Sequence, residues 1–160
     1  MAIFNGGFLR GGQQRDGPDR LGLEKNGPIM SVEIVVPFSL AKHLRGKKIA
    51  VPAPIKGLAL IDSGASTSCV DSQVIGRLGV KPIGVGIALT AGGACEQNLY
   101  PARFNFPEGK LSFEFSSVMG VDLKEQTIMG RKLVALVGRD VLSECVFVYN
   151  GLQASYTFAL

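Results

Sequence analysis

Gly57-Leu58-Ala59-Leu60-Ile61-Asp62-Ser63-Gly64-Ala65-Ser66 is an apolar run that ends on a carboxylate and then turns. Its apolar part, Gly57 to Ile61, shows no alternation of polar and apolar residues, the pattern of a strand buried on both faces. Such a strand holds Asp62 at the end of a rigid element, and Gly64 lets backbone and substrate approach closely. A carboxyl in low-polarity surroundings keeps its proton more tightly, and a second carboxylate nearby makes the two share one. A dyad of that kind activates water with one member and protonates a substrate with the other. Taken alone, Asp-Ser-Gly is a weak signal, since an ordinary turn can carry the same three residues.

A second element stands about 75 residues further on, where the apolar run Leu133-Val134-Ala135-Leu136-Val137 meets Gly138-Arg139-Asp140 and a short helical stretch. With both in place the sequence resembles the retropepsin family, the homodimeric aspartic proteases of retroviruses and their relatives, and is most similar to a cellular or bacterial single-domain member. Leu60 to Ser66 matches the family's catalytic loop, and Val137-Gly138-Arg139-Asp140-Val141-Leu142 matches its second signature. The resemblance covers most of residues 31–160.

That resemblance implies roles residue by residue. Asp62 is expected to be the catalytic carboxylate, Ser63 to hydrogen-bond across a dimer, and Gly64 to present its carbonyl to a peptide substrate. Ala65 and Ser66 would line the substrate site; some viral members carry an aspartate where Ser66 stands. Arg139 and Asp140 would be structural, with Arg139 pairing to acidic or carbonyl groups behind the loop. Thr90-Ala91-Gly92-Gly93-Ala94 falls where the family has its flap, so Ala91, Gly92 and Gly93 are expected to close over bound peptide. The interval from Asp62 to Gly138 is longer than in compact viral members, which puts extra residues around Pro107 to Met129.

Outside the two motifs, short strand-like segments recur at Ser31 to Val36, Val85 to Thr90, Leu99 to Phe106, Leu111 to Val118 and Val146 to Tyr149, separated by Gly, Pro, Asn and Asp. Pro52 and Pro54 mark the stretch before Gly57 as an edge or a connection. Asp71 or Ser72 can cap a two-turn helix with Val74, Ile75 and Leu78 on one face and Gly79 at its close. Asn150-Gly151 between two strand-like runs predicts a C-terminal hairpin with a type I′ turn. The pattern alone fits an all-β barrel or sandwich; the resemblance implies an all-β, retropepsin-like closed β-barrel with one or two short helices, active as a homodimer.

Residues 1–27 hold many glycines, charges of both signs and no sustained period, which predicts a flexible Gly/Pro-rich N-terminal arm ahead of a protease domain over 28–160. The net charge of +4 is spread along the chain with no basic run interleaved with aromatics, so nucleic acid is not expected as a partner. No apolar run approaches the ~20 residues that cross a bilayer, and the first residues lack a basic start and a long apolar stretch, so neither membrane association nor a signal peptide is expected. The three cysteines, Cys69, Cys95 and Cys145, are odd in number and widely spaced, which argues against a disulfide framework or a zinc pair and for a reducing, cytoplasmic setting. The single histidine, His43, has no serine or cysteine motif to pair with.

The expected function is therefore an aspartic endopeptidase that needs no metal or cofactor, with a second copy of the chain and a peptide or protein substrate as its partners. A non-catalytic retropepsin-like module that dimerises or binds peptide is the alternative. Asp62, Ser63 and Gly64 standing together favour the enzyme, because a scaffold needs only the barrel.

Overall fold

A computed structural model describes residues 2–9, 17–90, 92–123 and 126–160. The chain opens with β1 (Ile3–Gly7) and α1 (Arg20–Asn26), the latter capped by the Asp19 carboxylate, which accepts from the Gly22 N–H at 3.0 Å. Next come β2 (Ile29–Val35), α2 (Phe38–Gly46), β3 (Ile55–Ile61) and β4 (Cys69–Asp71). They are followed by α3 (Ser72–Arg77), β5 (Gly84–Thr90), β6 (Gly93–Phe106), β7 (Leu111–Val121) and β8 (Thr127–Ile128). The chain ends with β9 (Arg131–Val137), α4 (Arg139–Leu142), β10 (Val146–Asn150) and β11 (Ser155–Ala159).

Six strands close on themselves in the order β2-β3-β9-β4-β7-β6, because β6 pairs back onto β2 through Glu33↔Asn105, Ile34↔Phe104 and Val35↔Arg103. Closure leaves the barrel strands without a free edge along that path. The all-β closed barrel with short helices is thus the architecture observed. Its main core holds Ile34, Ala59, Val70, Ala102, Phe104, Val118 and Ala135, none of them accessible to solvent. β5 extends the sheet beyond β6 as one arm of a hairpin, and β8 pairs with the start of β9.

A second sheet, β1-β11-β10, is antiparallel throughout. Where a flexible arm was expected over 1–27, the described part holds the strand Ile3–Gly7 and the helix Arg20–Asn26. Ile3 to Gly7 pair residue by residue with Ala159 to Ser155, and Phe4, Phe8 and Leu23 are buried in the main core. Gly6 permits this, since a Cβ there would lie 2.4 Å from the Tyr156 ring. The Tyr156 hydroxyl in turn donates to the Ile29 carbonyl and accepts from its N–H, tying the second sheet to β2. A strand whose only partner lies at the other end of the chain shows no local signature of burial, which is why composition misreads it.

Two further differences are local. Four short helices appear among the described residues where one or two were expected; of these α2 buries Ala41, with Leu40 packed against the core. The C-terminal hairpin is present, but Asn150↔Ser155 is its last pair, so the loop is the four residues 151–154 rather than a two-residue Asn-Gly turn. Ala154, not Gly151, takes the positive φ of 48°, and the Asn150 side chain accepts from the Gln153 N–H at 3.1 Å. The α3 reading is met closely: Asp71 accepts from the N–H groups of Gln73 and Val74, and Val74, Ile75 and Leu78 are buried.

Candidate functional site

β3 and β9 run parallel, with Leu60↔Leu136 and Ile61↔Val137 in register. Parallel neighbours end at the same edge of a sheet, so residues far apart in sequence leave the barrel side by side. The Asp62 N–H donates to the Val137 carbonyl at 2.9 Å, extending the pairing one residue past the strand. The two motifs therefore meet at one end of the barrel, beyond the carboxyl ends of two buried strands.

The loop after β3 is held from within and from behind. Asp62 Oδ1 accepts from the Gly64 N–H at 2.8 Å, and the Asp62 carbonyl accepts from the Ala65 N–H at 3.2 Å. Arg139 Nη1 donates to the carbonyls of Ser63 at 2.9 Å and Gly64 at 3.1 Å, while the Arg139 N–H donates to the Ala65 carbonyl at 2.9 Å. Charge-assisted bonds to two successive carbonyls fix the backbone of the turn. Asp62 is half-buried, whereas Ser63, Gly64 and Ser66 are exposed and Ala65 is half-buried. The carboxylate is thus partly covered, with the turn reaching out beyond it.

Below the turn a second layer locks the two motifs together. Ser68, inaccessible to solvent, donates through Oγ to Asp140 Oδ1 at 2.7 Å and accepts there from the Gly138 N–H at 3.0 Å. Its own N–H donates to Asp140 Oδ2 at 2.9 Å, and Asp140 Oδ1 also accepts from the Val141 N–H at 3.0 Å, opening α4. Gly138 packs against this strand of loop so closely that a Cβ would lie 2.6 Å from the Thr67 carbonyl carbon. Ser68 was not singled out from the sequence. Its partners lie about 70 residues away, and one more serine in Ser66-Thr67-Ser68 carries no mark of its own.

Cys69 lies just beneath. Burial first, then the negative charges of Asp140 and Asp62, push its thiol up to about 11. The thiol stays neutral at physiological pH, which makes it a packing residue beside the site and not a nucleophile. Cys95 and Cys145 are half-buried, and His43 is an exposed residue in the last turn of α2.

Gly92 and Gly93 stand elsewhere, exposed at the tip of the β5–β6 hairpin, with Gly93 at φ 112°. Ala91 lies outside the described residues. Val85, Ile87 and Leu89 alternate along β5 and are 60%, 66% and 86% exposed, a projecting apolar row on a two-stranded arm. No helix among the described residues is long and apolar enough to cross a membrane.

No protein-family model matches the chain. A search of curated proteins finds no match either. Among solved structures the chain is similar to the protease of Simian Foamy Virus (mac), solved in solution: 19% identity, 72% of this chain and 92% of that chain covered, TM-score 0.40.

Proposed function

We propose that this chain is one half of a retropepsin-type aspartic endopeptidase, in which Asp62 of one copy and Asp62 of a second copy form the catalytic dyad. The observation that carries the reading is the joining of Asp62-Ser63-Gly64 to Gly138-Arg139-Asp140 at one barrel end, with Arg139 clamping the carbonyls of Ser63 and Gly64. A turn held this way presents a carboxylate at a rigid position, which a positioned acid–base catalyst requires.

In the dyad one carboxylate takes a proton from water as the water attacks the scissile carbonyl, and the protonated partner donates to the carbonyl oxygen. Gly64 would receive a substrate N–H on its carbonyl; the bond from Arg139 uses one lone pair and leaves the other. Ser63, exposed on the turn, would bond to the partner copy, while Ala65 and Ser66 would flank the peptide. The β5–β6 hairpin serves as the flap, and its row of Val85, Ile87 and Leu89 suits an arm that covers apolar peptide side chains.

Two carboxylates within a few ångströms titrate as a unit, so cleavage follows a bell in pH. Activity peaks at acidic to weakly acidic pH, where one proton is shared, and falls once both carboxylates have lost theirs. The test is digestion of a peptide library by the wild type and by Asp62→Asn across pH. The variant should lose cleavage and keep its fold, and serine- or cysteine-directed inhibitors should leave the wild type unaffected. Equal cleavage by both proteins, or loss of cleavage on chelation, overturns the aspartic mechanism. No cleavage by an intact dimer at any pH leaves the non-catalytic module.

A further inference from the structure

At the opposite end of β3 and β9 from Asp62, a pocket of about 330 Å³ opens between the strand starts and α3. Lys56, Arg77, Arg131 and Lys132 stand around it over a floor that includes Val74 and Val134, and no acidic residue is among its described lining. Arg131 is fixed in place, donating to Ser31 Oγ at 3.0 Å and to the Gly57 carbonyl at 3.1 Å. Lys56 reaches Glu33 at 3.5 Å with its side chain 78% exposed, and Arg77 is exposed with no ion pair among the described residues.

Like charges on a convex face are readily solvated. Around a concavity with apolar walls Arg77 and Arg131 focus their field inward, which raises the local concentration of anions, while Glu33 offsets part of the charge of Lys56. The chemistry of the walls selects among anions. No aromatic ring in the lining offers a base a stacking platform, which disfavours nucleic acid. Carboxylates on short methylene stems fit both the cationic rim and the valine floor.

We infer that this pocket binds an acidic segment of a polypeptide. It lies six residues along β3 from Asp62, about 20 Å at the usual rise per residue. As an exosite it gives a protein substrate a second hold; that role rests on the peptidase reading, while binding of the acidic segment does not.

The test uses the full chain carrying Asp62→Asn, so that no probe is consumed, and fluorescein-labelled hexaglutamate followed by anisotropy at low salt. Saturable binding is expected, weakened about tenfold by Lys56→Gln with Arg77→Gln, as two screened ion pairs are lost. Lys42→Gln with Lys81→Gln removes the same net charge from exposed positions outside the pocket and should leave affinity unchanged. No binding, or an equal loss in both double variants, overturns the inference, as does tighter binding of labelled hexathymidylate. Loss of library cleavage in the wild type would sink the peptidase reading and leave this result standing.

Discussion

Replacing Ser68 by alanine deletes one hydroxyl and strands the buried Gly138 N–H, while Asp140 Oδ1 loses one donor and keeps the Val141 N–H. A buried donor left without an acceptor costs on the order of 1–3 kcal/mol. Ser68→Ala should therefore lower the unfolding free energy by that much, read as a lower urea midpoint at unchanged m-value, and loosen the turn that carries Asp62 enough to reduce any cleavage. A midpoint within error of the wild type would mean that water or a rearranged Asp140 replaces the hydroxyl. At this scale the sequence was partly legible. Asp62, Gly64 and Arg139 announce themselves because each belongs to a contiguous motif whose residue types are dictated by chemistry. Ser68 does not, because its partners reach it through the pairing of β4 with β9.

At the scale of elements, the N-terminal strand makes the sharpest claim. Phe4 and Phe8 are buried with Tyr156 and Phe158 in the same core, and β1 covers one edge of β11. Removing residues 1–9 should cost ~3 kcal/mol or more, the scale of a lost core phenylalanine, and show as a large fall in melting temperature. Unchanged melting would restore the view of this segment as a dispensable arm. The strands from Ser31 to Val36 and Leu133 to Val137 were legible because they are apolar and β-branched or continuous, and so were α3 and its Asp71 cap. β4 was not, since three residues are too few to show a period. The turn after Asn150 went to Ala154 because loop length, not the Asn-Gly pair, fixes which residue takes the positive φ.

For the molecule as a whole, a single Asp62 per chain demands assembly if the dyad is real. β10 pairs only with β11 among the described strands, and Val146, Val148, Tyr149 and Leu152 on and beside it are 63%, 50%, 49% and 67% exposed. Such an edge invites pairing with another chain. Sedimentation should find a concentration-dependent monomer–dimer equilibrium that Val148→Glu shifts toward monomer, with cleavage falling in step. Monomer at every concentration with cleavage intact would end the dimer proposal. Removing 146–160 would not serve, because Tyr156 and Phe158 are core residues and the truncated chain would lose its fold with its interface. The parallel register of β3 with β9 also bears on when the Asp62 turn takes its shape. About 75 residues must be synthesised and looped back between Ile61 and Val137 before the Arg139 guanidinium can reach the Ser63 carbonyl. Closing a loop of that length is entropically slow, and contacts of such sequence separation form late. A nascent chain still tethered before β9 carries Asp62 on an unclamped turn, so the geometry of that turn is withheld until Arg139 has been made and folded back.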